Sequence, residues 1–202
     1  MTSNYRRPAT IAVAETVVKN SRFIAVVDVM KQPEDLHQLS DRAMQQWPKA
    51  SHYCTASILG SPQQGTFSCN DDGEPSGTAG RPMLTVLQNA PLGDVAAVVV
   101  RYFGGVKLGT GGLQRAYGQA VAAALKKLPT ELVVYRESFE LDYPYHLQGA
   151  IEPLWQQFDV RVSDSQFTEQ VHQRIELIPD ELAPLQERLD AVSQGQLKLR
   201  KC

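Results

Sequence analysis

The chain has 202 residues, 43% of them hydrophobic and 21% charged, with a net charge of −2, which is enough apolar material for one large core or two small ones and an ordinary charge content for a soluble globular protein. No run approaches the roughly 18 apolar residues that cross a bilayer, and the two N-terminal arginines precede only a short apolar stretch, so neither a membrane anchor nor a secretory leader is read. Cys54, Cys69 and Cys202 make no CxxC pair and no disulfide framework, so a reducing cytoplasm is the expected setting.

From the N-terminus, TIAVAETVVKNSRFIAVVDVM (10–30) predicts two strands with a polar break near Asn20–Ser21. Pro33 opens a helix as a first-turn proline, with Glu34 and Asp35 where the helix dipole favours acids. Leu36, Leu39, Ala43, Met44 and Trp47 recur at helical spacing, and Pro48 ends the run. SHYCTASIL (51–59) is the next strand, and SPQQG a loop tip. SCNDDGEPSGTAGRP (68–82) is far longer than a turn requires. Pro82 then starts a short helix that Pro91 closes.

DVAAVVVRYF (94–103) is a near-continuous apolar run, suited to a strand buried on both faces. GGVKLGTGG follows. Leu113, Ala116, Tyr117, Ala120, Val121, Ala124, Leu125 and Leu128 then mark a helix. At about 0.8 kcal/mol per buried methylene, its stripe anchors the core.

The rear of the chain reads strand (ESFELDY), helix (Leu147 to Phe158), two strands (VRVSD and FTEQVHQRIELI), a helix capped by Asp180, and a last strand, QLKLRK. That β-α-β-β-α-β order is a ferredoxin-like split module. Pro153 falls within the first helical stripe, so that helix is either kinked there or starts later than its apolar pattern. The expected class is α+β, with one domain over 1–135 and a second over 136–202.

Charge and glycine divide the same way. Residues 1–135 hold 13 Lys+Arg against 10 Asp+Glu, and residues 136–202 hold 7 against 12. Twelve of the 14 glycines lie between Gly60 and Gly118. An anionic partner would therefore meet the front domain, although the imbalance alone does not establish one.

The acidic loop is no EF-hand: with Gly73 at position six, Ser68 and Ala79 occupy positions one and twelve, which both require carboxylates. Asp71, Asp72, Gly73 and Glu74 read as a structural turn in which side chains bond neighbouring amides and Gly73 takes a positive φ. A magnesium ion held with waters is the other reading of those acids. No metal ligand set is assigned.

GGVKLGTGG sits between a buried strand and a strong helix. Amides from Thr110 through Gly111 and Gly112 to Leu113 would point at an approaching anion, with Lys107 and Arg115 nearby. Close strand–helix packing through glycine is the competing reading. Gly104 and Gly109 have P-loop spacing, but the following Lys-Ser/Thr is missing, and the pattern is not GxGxxG. Ser51, His52 and Cys54 supply no nucleophile–base–orienter set, because neighbours on a strand face opposite ways. No catalytic residue and no cofactor is assigned.

DDGEPSGTAGRPML (71–84) and VVVRYFGGVKLGTGGLQRAYG (98–118) resemble the paired motifs of the YigZ/IMPACT family, and KNSRFIA (19–25) and the His52–Cys54 strand match its front end. The resemblance covers nearly the whole chain and indicates a bacterial two-domain member. It implies an N-terminal domain like domain IV of elongation factor G, with the ribosomal-protein-S5-domain-2-like fold, and a ferredoxin-like C-terminal domain like domain V. Eukaryotic relatives act in translational control under amino-acid starvation by binding the activator of a kinase that bacteria lack. For a bacterial member the resemblance implies non-enzymatic binding of nucleic acid or the ribosome in the regulation of translation, including under stress. On that reading Lys19, Arg22, Arg81, Arg101, Lys107 and Arg115 supply cations, and His52, Tyr102 and Phe103 supply rings for bases, on one face built by both motifs. Asp71, Asp72 and Glu74 would orient Arg81 or Arg101. Two alternatives stand beside it: an enzyme or sensor holding a phosphorylated small molecule at 104–112, and a protein–protein regulator.

Overall fold

The structure, a computed structural model, describes residues 4–202. In chain order the elements are β1 (Tyr5–Pro8), β2 (Ala12–Val18), β3 (Ser21–Val29), α1 (Pro33–Gln46), β4 (His52–Leu59), β5 (Thr66–Asn70), α2 (Gly80–Asn89), β6 (Val95–Tyr102), α3 (Thr110–Leu125), β7 (Thr130–Val133), β8 (Glu137–Tyr143), α4 (Gln148–Gln157), β9 (Arg161–Phe167), β10 (Val171–Leu177), α5 (Leu182–Ser193) and β11 (Arg200–Lys201). Internal contacts divide the chain into two compact units, one ending at Val133 and the other starting at Val134.

The first unit is built on a five-stranded sheet ordered β2-β3-β6-β4-β5, antiparallel throughout. Strand alternation sorts its side chains onto two faces. Phe23, Ala25, Val27, Val95, Ala97 and Val99 pack with α2 and α3. Ile24, Val26, Ala96, Val98 and Val100 pack with Leu39 and Ala43 of α1. The central strand β6 is therefore apolar on both faces, as its unbroken hydrophobic run requires.

Lys19 and Asn20 make the two-residue turn between β2 and β3, both at positive φ, 47° and 68°. α1 starts at Pro33 as expected, and Asp35 Oδ2 accepts the amides of Lys31 (2.7 Å) and Gln32 (3.1 Å). α2 starts two residues before the expected Pro82. The reason lies in the acidic loop: Asp71 Oδ1 accepts the amides of Ala79 (3.0 Å) and Gly80 (2.8 Å), which winds the helix earlier.

Three strands have no counterpart in the sequence reading. β5 closes the sheet edge with all five residues exposed. β1 pairs with β7 in a separate two-stranded ribbon.

The second unit has a four-stranded antiparallel sheet ordered β11-β8-β10-β9. With α4 and α5 between the strand pairs in sequence, this is the ferredoxin-like arrangement. Its core joins Phe139, Leu141, Ile175 and Leu177 to Ile151, Trp155, Leu185 and Leu189. Pro153 does lie inside α4, which begins at Gln148 after a 3-10 turn over Tyr145–Leu147. Asp180 does not cap α5 directly: it falls in a 3-10 turn, Pro179–Glu181, that precedes the helix. The last strand shrinks to Arg200–Lys201. No helix of the described residues is long and apolar enough to cross a membrane.

Candidate anion-binding site

The two glycine-rich segments meet at the end of the sheet face that carries α3. Arg101 is opposite Phe23 on one side and His52 on the other, so these three side chains share that face. Glu74, from the acidic loop, closes over them. Its Oε1 accepts from Arg101 Nη1 at 2.5 Å and from the Tyr117 hydroxyl at 2.7 Å, and stands 3.8 Å from His52 Nε2. The Cys54 thiol completes the buried chain, donating to the Asp71 carbonyl at 3.0 Å and lying 3.3 Å from the Tyr117 hydroxyl. Burial pushes the Cys54 thiol up to about 12 and raises the Tyr117 phenol far above its ordinary value.

The acidic loop is held by its own carboxylates. Asp71 accepts the amides of Gly77, Ala79 and Gly80. Burial acts to raise its pKa, but those three donors outweigh it and hold the carboxyl below its usual value. Asp72 Oδ2 accepts the Tyr53 amide at 2.6 Å, and the Asp72 carbonyl lies 2.7 Å from His52 Nδ1. Gly73 has the expected positive φ, 81°. The three acids thus point to three different partners. Among the described residues no three His, Cys, Asp or Glu side chains are grouped to hold a metal.

The second segment passes close to the first hairpin. A Cβ at Gly104 would stand 2.1 Å from the Asn20 carbonyl carbon, so only glycine fits, and the Lys19–Asn20 turn lies against this loop. Gly109, at φ 72°, turns the chain into α3. No side chain caps that helix, which leaves the amides of Thr110, Gly111 and Gly112 at its positive end.

Between the segments lies a cleft of about 390 Å³, lined by His52, Glu74, Arg101, Phe103, Lys107 and Thr110 among others. Phe103 is half exposed, and its ring centre is 5.5 Å from the Arg101 guanidinium. Gly77, Arg81, Gln114, Arg115 and Gly118 line a second hollow of about 420 Å³.

The cations expected on one face are distributed differently. Arg101 is not an open cation: only 6% of its side chain is exposed, and Glu74 already holds it. Its Nε has no hydrogen-bond partner. Arg22 and Tyr102 pair across β3 and β6 on the opposite sheet face, where Arg22 binds Glu15 at 2.9 Å and lies over the Tyr102 ring. Alternation along β6 sets this, because consecutive residues cannot share a face. Lys19, Arg81, Lys107 and Arg115 are exposed and form no ion pair among the described residues. Lys107 lines the cleft, and Arg81 and Arg115 line the second hollow. The residues missed from sequence are Cys54 and Tyr117, the buried support of Glu74. Both lie in the family-like segments and at apolar positions of a strand and a helix stripe, but neither signal shows what they support.

The second unit also has a concavity, about 330 Å³, on its sheet. There Glu140 and Asp142 bind Arg174, Arg200 and His172, and Asp164 adds further negative charge. Its cations are already neutralised, so it is a poor seat for an anion.

Comparison with known proteins agrees with this organisation. The Impact N-terminal domain family matches residues 19–125, and a domain of unknown function, DUF1949, matches 141–196. The chain is 36% identical to an IMPACT family member of Haemophilus influenzae, covering 98% of this chain and 97% of that protein. It is 37% identical to the IMPACT family member YigZ of Escherichia coli over 95% of both chains. A solved structure described only as a hypothetical protein superimposes with a TM-score of 0.79 at 33% identity, covering 100% of this chain and 98% of that one.

Proposed function

This chain belongs to the IMPACT family, and we propose that its first unit binds RNA, free or within the ribosome, and so acts in the regulation of translation in the cytoplasm. One observation carries the reading: the uncapped first turn of α3, at Thr110–Gly112, lies beside the unpaired Lys107 at the mouth of the cleft. Backbone amides at a helix N-terminus together with a mobile cation are what phosphate groups require. Exposed Arg81 and Arg115 line a second hollow, where an RNA strand would find further phosphate contacts. Phe103 offers an exposed ring, and base stacking on such a ring is worth about 1–3 kcal/mol. The resemblance to consecutive domains of a translation factor points the same way, by analogy of fold. The test is a salt titration of RNA binding. Affinity should fall linearly in log–log form as released counterions are replaced. RNA affinity that does not respond to salt would overturn the reading.

A further inference from the structure

We infer that the hollow between α2 and α3 seats an unpaired nucleotide, so that the RNA this chain takes is single-stranded where it crosses those helices. This rests on the reading of the first unit as an RNA binder and names the form of RNA it selects.

The hollow has an apolar floor and a cationic rim. Half-buried Pro82 and Val86 of α2 and Gly118 of α3 form the floor. Exposed Arg81, Arg115 and Gln119 stand around it. Neither arginine is in an ion pair among the described residues, and no acidic side chain belongs to the lining. In the cleft, by contrast, Glu74 already neutralises Arg101. The volume, about 420 Å³, falls within the ~300–1,000 Å³ range of small-ligand sites.

Gly118 is the independent sign of a ligand. It stands in the middle of α3, where glycine weakens a helix relative to alanine. Packing does not require it. A Cβ there would meet Val86 Cγ2 at 3.5 Å, an ordinary van der Waals contact, and nothing nearer. Gly104, where a Cβ would strike the Asn20 backbone, is the opposite case. Gly118 therefore keeps open a surface that the fold itself could fill, which is what the close approach of another molecule demands.

The chemistry of the lining selects the occupant. A phosphate gains nothing from an apolar floor. A duplex keeps its base faces stacked inside and offers phosphates and groove edges. An unpaired nucleotide presents an apolar face next to a negative charge. Its base would lie on Pro82, Val86 and the bare backbone of Gly118, with a guanidinium stacked on the base or paired with its phosphate. The Gln119 carboxamide has a donor and an acceptor for the base edge. An acidic peptide would share the charge, but position favours RNA: Gly118 lies two turns, ~12 Å, beyond Thr110 along α3. A strand with a phosphate at the first turn of that helix reaches the hollow within a few nucleotides.

The experiment uses the full chain and one RNA sequence, offered as a single strand or annealed to its complement, with anisotropy read at constant salt. The single strand should bind about tenfold more tightly, the equivalent of ~1.4 kcal/mol. Gly118→Leu, which fills the hollow, should abolish that difference, and thermal melting should show its fold retained, since leucine is the better helix former. Gly118→Ala, whose added methyl fits beside Val86, should lose part of the difference and carries the test if the larger variant does not fold. Adenosine 5′-monophosphate, titrated by amide NMR, should shift Gly118 and Gln119 saturably. Equal binding of strand and duplex, or a preference that survives both variants, would overturn the assignment and leave the RNA reading intact. Nucleotide shifts at Gly118 without binding of either RNA would uphold the hollow as a base site and overturn the RNA reading. If a glutamate-rich peptide shifts these amides and neither the nucleotide nor the single strand does, the assignment fails in favour of a protein partner.

Discussion

Arg101 Nη1 donates to Glu74 Oε1 at 2.5 Å, joining the acidic loop to the strand that leads into the glycine-rich turn before α3. The two residues are 27 positions apart, and both side chains are almost wholly buried. This pair, with the Tyr117 hydroxyl on the same oxygen, is what brings the two motifs to one site.

Removing one partner of that pair leaves a buried charge uncompensated. Glu74→Ala should destabilise the first unit by about 3–5 kcal/mol, whereas Glu74→Ala with Arg101→Met should recover most of the loss. Chemical denaturation of the single and double variants checks this. A single variant as stable as the native chain would show that the pair does not hold the loop.

Asp71 gives the loop a pH dependence. Its folded pKa lies below the unfolded value, so its stabilisation is complete above about pH 3.9 and is lost as pH falls through the lower folded value. Asp71→Ala, which removes the acceptor of three amides, should cost about 2–3 kcal/mol at neutral pH. It should also flatten the acid limb of stability against pH, which thermal melts between neutral and acid pH would reveal.

Thiol reactivity reports on the buried chain behind Glu74. Cys54 is buried with its thiol pushed up to about 12, while Cys69 and Cys202 are exposed. A thiol reagent at mildly alkaline pH should label Cys69 and Cys202 quickly and Cys54 only after unfolding. Mass spectrometry of the labelled peptides distinguishes them, and rapid native labelling of Cys54 would contradict the packing described.

Lys107→Ala should weaken RNA binding and lower the slope of log affinity against log salt by about one unit, the signature of one lost phosphate contact. Arg22→Ala should leave that slope unchanged, since Arg22 is bound to Glu15 on the other face of the sheet. Filter binding across a salt series separates the two outcomes.

Local rules carried much of the fold. Pro33 with its following acids, the polar break of the first hairpin, the long stripe of α3 and the β-α-β-β-α-β order of the rear unit are written in spacing and turn chemistry, although the break, expected near Asn20–Ser21, falls one residue earlier at Lys19–Asn20. β5 was illegible because TFSCN is short and exposed throughout, so no alternation marks a buried face. β1 and β7 were missed because each has four residues and its partner lies far along the chain. The site was legible as two motifs but not as a contact. Alternation could have shown that Arg101 points the same way as Val99 and that Arg22 and Tyr102 do not join it. That Glu74 is the group waiting for Arg101 depends on tertiary placement, which no local pattern encodes.

Phosphate should meet the first turn of α3 at Thr110–Gly112. Amide NMR of the labelled full chain, titrated with RNA at low salt, reads this directly. The predicted result is a set of large shifts at Thr110, Gly111 and Gly112, reduced in Lys107→Ala. Shifts confined to other residues, with these three amides unmoved at saturation, would contradict it.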